Sequence, residues 1–311
     1  MAVASSNIPF ILRLVSCSVA AANKAGNIIR NVLERGNLEV VDKNLGKGEP
    51  DPQTIADRAA QKCIITSLQK KFPAIKIVGE EEDCSDIIEV AETEDDSNVL
   101  QQTCPVELQN CKEDEVVVWV DPLDGTKEFT DGYIEHVTVL IGISRAGKPI
   151  AGVIHQPFYK AAENPKTTGR TIWGMQGIGS FGYERGTHEG LVIITTRSHS
   201  SNINLETIEA MNPTKITRAG GSGYKALSVL LGEADAYIYA SKGTKRWDTC
   251  APDAILRAAG GAITDILGNE IKYEYNMDYM NYTGLLATLK DHDTFLSKVP
   301  QSTKDIVATN I

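Results

Sequence analysis

The N-terminal segment places apolar or small residues at steps of three and four: Ile11, Val15, Val19, Ala22, Gly26, Ile29 and Leu33. This spacing predicts an amphipathic helix, because residues three and four positions apart share one face of a helix. Gly26 falls on the inner face, where the missing side chain favours close packing. Arg13 interrupts the apolar run and no basic leader precedes it, so the segment is interpreted as a folded helix and not as a targeting signal.

Downstream, the apolar pattern switches between the helical period and the strand period. Alternating residues on both sides of Ala146-Gly147-Lys148 predict a β-hairpin. The predicted elements of the first half are a helix at 54–72, a strand at 75–78, the hairpin strands at 136–144 and 149–155, and a strand at 171–174. Those of the second half are strands at 191–195, 236–240, 262–266 and 285–289, helices at 205–211, 220–231 and 252–259, and a C-terminal helix.

This order of elements predicts an α/β (layered α+β) fold with alternating helix and sheet layers. A hairpin-rich first half followed by alternating strands and helices indicates two packed subdomains. We expect an N-terminal metal-binding domain at 1–188 and a C-terminal α/β domain at 189–311, with the boundary somewhere in 160–190. At 311 residues the chain is long enough for this organisation.

The most informative segment is Val116 to Thr126, which begins with five apolar residues rich in valine. Such a run is typical of a strand buried on both faces. The strand is expected to end at Asp121, because Pro122 removes a backbone donor. Asp121 and Asp124 then lie together at a strand end, where Mg²⁺ is the natural partner of paired carboxylates. The alternative is an ordinary Asp-Pro-x-Asp-Gly turn.

Charge and cysteine content narrow the possible environments. The net charge is −10, but residues 80–115 carry fourteen acidic residues and one basic residue, Lys112, and so account for −13 and leave the remainder at +3. The acidity is therefore local, and no basic stripe for nucleic acid is present. No apolar run approaches the length of a membrane span. The six cysteines include no C-x-x-C pair, which is consistent with reduced thiols in a cytoplasmic protein.

Three further acids occur next to predicted elements. Glu80 follows the strand at 75–78, Asp248 comes just before the helix at 252–259, and Asp57 lies on the second helix. Each has an ordinary structural explanation: Glu80 as a solvated cap, Asp248 as a helix N-cap, and Asp57 as a surface acid. Their order along the chain is what distinguishes them from isolated acids.

Gly79-Glu80-Glu81, then Asp121-Pro-Leu-Asp-Gly-Thr126, then Trp247-Asp248 resemble the motifs of the Mg²⁺-dependent, lithium-inhibited phosphatases of the inositol monophosphatase superfamily. The resemblance covers nearly the whole chain and implies the layered fold of inositol monophosphatase and fructose-bisphosphatase. Within the superfamily, residues 195–200 and 220–225 are similar to the branch of 3′(2′),5′-bisphosphate nucleotidases, which convert adenosine 3′,5′-bisphosphate to AMP.

The resemblance also implies roles for individual residues. Two or three Mg²⁺ ions would be held by Glu80, Asp121, the Leu123 carbonyl, Asp124 and Asp248, with Li⁺ as an inhibitor. Asp57 and Thr126 would activate the attacking water. Thr196, His199, Gly221 and Lys225 would line the nucleotide side. Without the resemblance, His199 is as easily a capping residue and Lys225 a solvated lysine.

The implied substrate is adenosine 3′,5′-bisphosphate, with its sulfated derivative 3′-phosphoadenylyl sulfate and inositol 1,4-bisphosphate as further candidates. Two alternatives stay open: an inositol polyphosphate 1-phosphatase, and a non-catalytic sensor of adenosine bisphosphate. We expect a cytoplasmic monomer with no nucleic-acid or membrane partner.

Two other motifs fit the sequence less well. A haloacid-dehalogenase phosphatase would need D-x-D-G-T, whereas this chain has one residue more between its two acids. Gly177-x-Gly179-x-x-Gly182 matches a dinucleotide fingerprint, but no helix is predicted after it. A bend between two strands is the better interpretation of these glycines.

Overall fold

The computed structural model describes residues 8–45, 51–82, 95–160, 169–197 and 201–309. Its helices are α1 Phe10–Arg35, α2 Ile55–Lys71, α3 Ser97–Leu100, α4 Thr126–Asp131, α5 Asn202–Glu209, α6 Ser222–Leu230, α7 Arg246–Ala258, α8 His292–Lys298 and α9 Gln301–Ala308. Its strands are β1 Val41–Asp42, β2 Pro52–Gln53, β3 Lys76–Gly79, β4 Val116–Asp124, β5 Thr138–Arg145, β6 Lys148–Gln156, β7 Arg170–Met175, β8 Gly179–Phe181, β9 Val192–Thr196, β10 Lys215–Ala219, β11 Ala236–Tyr239, β12 Thr244–Lys245, β13 Ala262–Thr264, β14 Met280–Asn281 and β15 Leu285–Thr288.

The first large sheet runs in chain order, β3-β4-β5-β6-β7-β8. β3 pairs with β4 in parallel and the later pairs are antiparallel. The predicted hairpin is β5–β6, and its two-residue turn has positive φ at both Ala146 and Gly147 (50° and 73°). That is the turn geometry that matches the natural twist of paired strands.

The second large sheet has the order β10-β9-β11-β15-β13. β10, β9 and β11 are parallel, whereas β15 runs antiparallel to both β11 and β13. All strands of the first sheet end by Phe181 and those of the second begin at Val192. This break is where we propose the boundary between subdomains 1–188 and 189–311.

Helices and sheets alternate in five layers. α1 and α2 cover the outer face of the first sheet, and their apolar residues form one core with it. α6 and α7 lie between the two sheets in a second core. α5 and α8 cover the outer face of the second sheet, and α9 packs on α5. The expectation of a layered α/β fold is thus confirmed.

A row of glycines lets α7 lie directly on the first sheet. Gly142, Gly152 and Gly174 stand side by side on β5, β6 and β7. A Cβ on Gly142 would lie 2.6 Å from Cys250 Cβ, and one on Gly152 would collide with the Ala251 carbonyl oxygen. Because close packing leaves no room for even one methyl group here, α7 is held at a fixed distance from the sheet.

Several boundaries differ from the sequence-based expectation. The β4–β5 ladder does not stop at Pro122: it pairs Asp121 with Leu140, shifts register, and pairs Asp124 with Thr138. A proline is tolerated at this register shift because Pro122 is not required to donate a backbone hydrogen bond to β5 there. β10 was not predicted, because most of its residues are exposed. The acidic segment 80–115 lies partly at 83–94, outside the described residues. Among the residues described, no helix has the length and apolarity to span a membrane.

Candidate active site

A cleft of about 400 Å³ opens between the two halves of the chain. All four predicted metal-binding carboxylates line it: Glu80, Asp121, Asp124 and Asp248. Thr126, Glu128, Thr196, Gly221, Lys225 and Lys245 contribute to its walls. The cleft therefore combines the predicted metal-binding acids of the first half with Asp248 and the predicted substrate-binding residues of the second.

The parallel pairing of β3 with β4 places Glu80 and Asp121 next to each other. The Glu80 backbone N–H donates to the Val120 carbonyl at 3.0 Å, so the two acids leave adjacent strands at the same sheet edge. Asp121 is buried, and its Oδ1 accepts a bond from the Leu123 N–H at 3.1 Å. Burial raises the pKa of Asp121 well above its usual value, and the charges of Glu80, Asp124 and Asp248 raise it further.

Asp124 connects the first half of the chain to the start of α6. Its two oxygens accept from the backbone N–H groups of Ser222 and Gly223, both at 2.8 Å, and one also accepts from Thr138 Oγ1 at 2.7 Å. Gly221 has φ of 66°, and a Cβ there would lie 2.8 Å from the His136 carbonyl, so the turn requires glycine. Burial still raises the pKa of Asp124, although nearby Lys225 and these bonds oppose the rise.

Asp248 lies inside α7 and is not its N-cap, so the alternative structural explanation for this acid is wrong, as is the predicted helix start at residue 252. The helix begins at Arg246, and Pro252 lies within it. Asp248 is the third residue of α7, and its Oδ2 accepts a hydrogen bond from the N–H of the N-cap residue Lys245 at 2.7 Å. This is the backbone contact that an acid at the third helical position makes in a capping box. Burial, together with the charges of Glu80 and Asp124, raises the pKa of Asp248 to about 8.

Asp57 and Thr126 meet beneath the cleft. Thr126 Oγ1 donates to Asp57 Oδ1 at 2.8 Å, and the Leu123 carbonyl lies 3.1 Å from the same hydroxyl. Asp57 Oδ2 accepts from both the N–H and the Oγ1 of Thr54, at 2.7 and 2.5 Å. Burial raises the pKa of Asp57 to about 7 against the lowering effect of these bonds. The residue predicted as a possible surface acid is 1% exposed.

The donor set suits a hard cation. All candidate ligands are carboxylate or carbonyl oxygens, which Mg²⁺ prefers. The four acids interact electrostatically, yet within the described part of the chain no three or more Asp, Glu, His or Cys side chains are arranged as a metal-binding group. Part of the coordination capacity is occupied by protein groups, since Lys43 Nζ lies 2.8 Å from Glu80 Oε1.

Lys43 and Glu81 are two site neighbours to which the sequence analysis assigned no role. Lys43 Nζ also lies 3.2 Å from Glu81 Oε1, and the Glu81 backbone is held by Gln61 on both its N–H and its C=O. Burial raises the pKa of Glu81, and its charge contributes to the raised pKa of Asp57. The Gly-Glu-Glu motif contained Glu81, but no sequence signal separated Lys43 from other lysines in its polar surroundings.

On the predicted nucleotide side, Thr196, Gly221 and Lys225 line the cleft, and His199 lies outside the described residues. Lys225 is buried and not solvated: its Nζ donates to the Gly221 carbonyl at 2.5 Å and lies 5.1 Å from the Tyr237 ring centroid. Burial lowers the pKa of Lys225, and Asp124, Glu128 and Asp248 oppose this. Lys225 is therefore a buried cation that interacts electrostatically with carboxylates of the cleft.

The comparisons with known proteins agree with the motif resemblance. Residues 12–304 match the sequence model of the Inositol monophosphatase family. The chain is 46% identical to human 3′(2′),5′-bisphosphate nucleotidase 1 over 97% of its length and 98% of that protein, and 45% identical to the rat protein of the same name over 94% and 96%. The Dictyostelium discoideum protein of that name is 38% identical over 92% and 96%.

Solved structures support the fold. The extragenic suppressor protein suhB from Bartonella henselae superposes with a TM-score of 0.67 at 24% identity, covering 92% of this chain and 98% of that one. An IMPase from Thermotoga maritima gives 0.64 at 22% identity, covering 93% and 97%. At this level of identity the likeness concerns the backbone arrangement alone.

Proposed function

The chain belongs to the inositol monophosphatase family, and from that premise we propose that it is a 3′(2′),5′-bisphosphate nucleotidase. It removes the 3′(2′)-phosphate of adenosine 3′(2′),5′-bisphosphate to give AMP and phosphate, and it also accepts 3′-phosphoadenylyl sulfate. The 46% identity to the human nucleotidase over nearly the full length supports the substrate. The hydrogen bond between Thr126 and Asp57 is the main structural support for the proposed catalytic step.

Members of this family are generally Mg²⁺-dependent and inhibited by Li⁺. In this chain Glu80, Asp121, Asp124, Asp248 and the Leu123 carbonyl would hold two or three Mg²⁺ ions. When bound, such ions lower the pKa of a coordinated water and neutralise charge on the departing oxygen. The fit rests on an all-oxygen donor set facing one cleft.

The protein's own contribution to water activation is the Thr126–Asp57 pair. Because a hydroxyl has one proton, Thr126 Oγ1 gives it to the Asp57 carboxylate, the stronger and closer acceptor, and keeps its lone pairs for a water proton. As water attacks phosphorus, its proton passes to Thr126 Oγ1 while the threonine proton passes to Asp57 Oδ1. Thr54 fixes the other Asp57 oxygen and so keeps Oδ1 directed at Thr126.

Selection among phosphate esters depends on the second half of the chain. The carboxylates and the Thr126–Asp57 pair act on the scissile phosphate, which all candidate substrates share. We propose that Thr196, His199, Gly221 and Lys225 hold the nucleotide, with Lys225 providing the positive charge for a phosphate. The burial of Lys225 beside the cleft supports this role, since a charge-assisted bond is stronger where water is excluded.

Two alternatives are less well supported. An inositol polyphosphate 1-phosphatase would use the same carboxylates on inositol 1,4-bisphosphate, and a sensor would bind adenosine bisphosphate without hydrolysis. The intact Thr126–Asp57 pair favours an enzyme over a sensor, because binding alone does not require a water-activating group. We further propose a cytoplasmic monomer that acts on small molecules and not on nucleic acid.

A substrate panel tests the proposal. Phosphate release with Mg²⁺ is measured on adenosine 3′,5′-bisphosphate, 3′-phosphoadenylyl sulfate, inositol 1-phosphate and inositol 1,4-bisphosphate. The nucleotidase predicts the highest kcat/KM on the first two. A preference for an inositol phosphate would favour the first alternative, and tight binding of adenosine 3′,5′-bisphosphate without phosphate release would favour the sensor.

A further inference from the structure

An arginine outside the predicted site residues is stacked on an aromatic ring at the edge of the cleft. Arg197 follows Thr196 at the end of β9, and its guanidinium carbon lies 4.0 Å from the centroid of the Tyr133 ring. Its Nη2 donates to Glu128 Oε1 at 3.1 Å and lies 3.3 Å from Asp131 Oδ2. The stack and the two acids together fix both the position and the plane of the guanidinium.

The stack is connected to the cleft through Glu128. Glu128, the ion-pair partner of Arg197, is buried and forms part of the cleft wall, as does Thr196. Glu128 also packs against Gly220, where a side chain would collide with its carboxylate. The Arg197 side chain keeps 28% of its surface exposed. It is therefore accessible at the edge of the cleft beside the predicted nucleotide residue Thr196.

The local charge balance makes this group a stacking surface and not a phosphate site. Arg197 lies against two acids, Glu128 and Asp131, and Asp131 also pairs with Lys127 at 3.1 Å. The two positive and two negative charges cancel, so the cluster offers no surplus positive charge to a dianion. A flat guanidinium backed by an aromatic ring is, however, a favourable surface for a planar base.

We propose that Arg197 is a specificity-determining residue that recognises the purine base by stacking, with Tyr133 supporting the opposite face of the guanidinium. This inference rests on the proposed nucleotidase function and deepens it, because it separates recognition of the base from recognition of the phosphates. Asp131 and Glu128 act here as positioning residues: they orient the guanidinium and do not touch the substrate.

The test uses two substrates that differ only in the base: 2′-deoxyadenosine 3′,5′-bisphosphate and the tetrahydrofuran 3′,5′-bisphosphate that lacks it. Arg197→Lys keeps the charge and the pairing with Glu128 but removes the flat surface. Loss of base stacking should lower kcat/KM on the deoxyadenosine substrate by roughly ten- to a hundredfold, through KM with kcat preserved. The abasic substrate should be cleaved as well by the variant as by the wild type.

Arg145→Lys is the matched control, because Arg145 also pairs with a glutamate, Glu115 at 2.7 Å, but this glutamate does not line the cleft, whereas Glu128 does. It should leave both substrates unaffected. An equal loss on both substrates with Arg197→Lys, or no loss on either, would overturn the proposal. Calorimetric binding of 2′-deoxyadenosine 5′-phosphate and its abasic analogue keeps the test independent of turnover. If the wild type hydrolyses neither these substrates nor adenosine 3′,5′-bisphosphate, the nucleotidase proposal fails, and the binding difference alone decides the role of Arg197.

Discussion

The Thr126–Asp57 hydrogen bond gives the sharpest prediction. Thr126→Ala removes the hydroxyl that donates to Asp57 Oδ1 at 2.8 Å and that we propose accepts the proton of the attacking water. Loss of a positioned general base typically costs about 10²–10⁴-fold, so kcat should fall by that amount. Metal binding should largely survive, because the Leu123 carbonyl belongs to the backbone. Thr126→Ser, which keeps the hydroxyl, should retain most of the activity.

The pH dependence follows from the buried position of Asp57. Burial raises its pKa to about 7, and the carboxyl must be deprotonated to accept the threonine proton. Hence kcat/KM should rise with pH and level off above about pH 7, with a slope of about tenfold per pH unit on the acid side. Asp57→Asn should remove this limb together with most of the activity.

Phosphate release and Mg²⁺ titration are measured on each variant across pH. Because the two residues act as one relay, the double variant Thr126→Ala/Asp57→Asn should lose no more than the worse single variant. Thr283→Ala is a matched control, since Thr283 Oγ1 donates to Asp265 Oδ2 at 2.9 Å outside the cleft. A Thr126→Ala variant with normal kcat and weakened Mg²⁺ affinity would show that Thr126 is structural and that the relay is wrong.

Four further results are expected. Asp121→Asn should abolish phosphate release even at saturating Mg²⁺, because an amide lacks the charge that balances the cation; near-native turnover would remove Asp121 from the metal site. Millimolar Li⁺ should inhibit, and added substrate should not restore activity; insensitivity at tens of millimolar would contradict the family-based expectation. Lys225→Ala should lower kcat/KM on adenosine 3′,5′-bisphosphate by roughly ten- to a hundredfold; an equal loss on inositol 1,4-bisphosphate would show that Lys225 serves the carboxylates and not the nucleotide. Gly152→Ala should lower the free energy of unfolding, measured by chemical denaturation, by about 1–3 kcal/mol, because its Cβ would collide with the Ala251 carbonyl. Gly186→Ala, whose Cβ would have its nearest neighbour 3.7 Å away, should leave the free energy of unfolding almost unchanged.

Elements with strong local signals could be predicted from the sequence. The β5–β6 hairpin was predictable because Ala146-Gly147 supplies a turn between alternating runs. The start of α7 was not predictable in the same way. The local sequence suggests a helix that begins at Pro252, whereas in the structure Pro252 lies inside a helix that packs on the first sheet. That packing depends on Gly142, Gly152 and Gly174, which lie 78 to 110 residues upstream of Pro252, and no local pattern near Pro252 contains it.

The same distinction applies to the site. Asp121, Asp124 and Thr126 were predictable because one short motif contains them all. Arg197 was missed because its environment is assembled from distant parts of the chain: its aromatic partner Tyr133 and its acidic partners follow the Asp-Gly turn of the first half. Lys43 is a similar case, since only the tertiary structure brings it to Glu80.

Asp124 shows why only the three-dimensional structure, in which the two halves of the chain meet, identifies the predicted acids as one site. Its carboxylate is supplied by the β4 end, yet both its oxygens are bonded by N–H groups of α6, which the chain reaches almost a hundred residues later. The α6 N-terminus favours a negative charge at that position, while burial by the surrounding layers disfavours it. The same helix brings Lys225 toward Asp124. Helix α6 therefore positions both Asp124, which is proposed to hold metal, and Lys225, which is proposed to hold substrate. A change that shifts α6 should alter metal binding and substrate binding together.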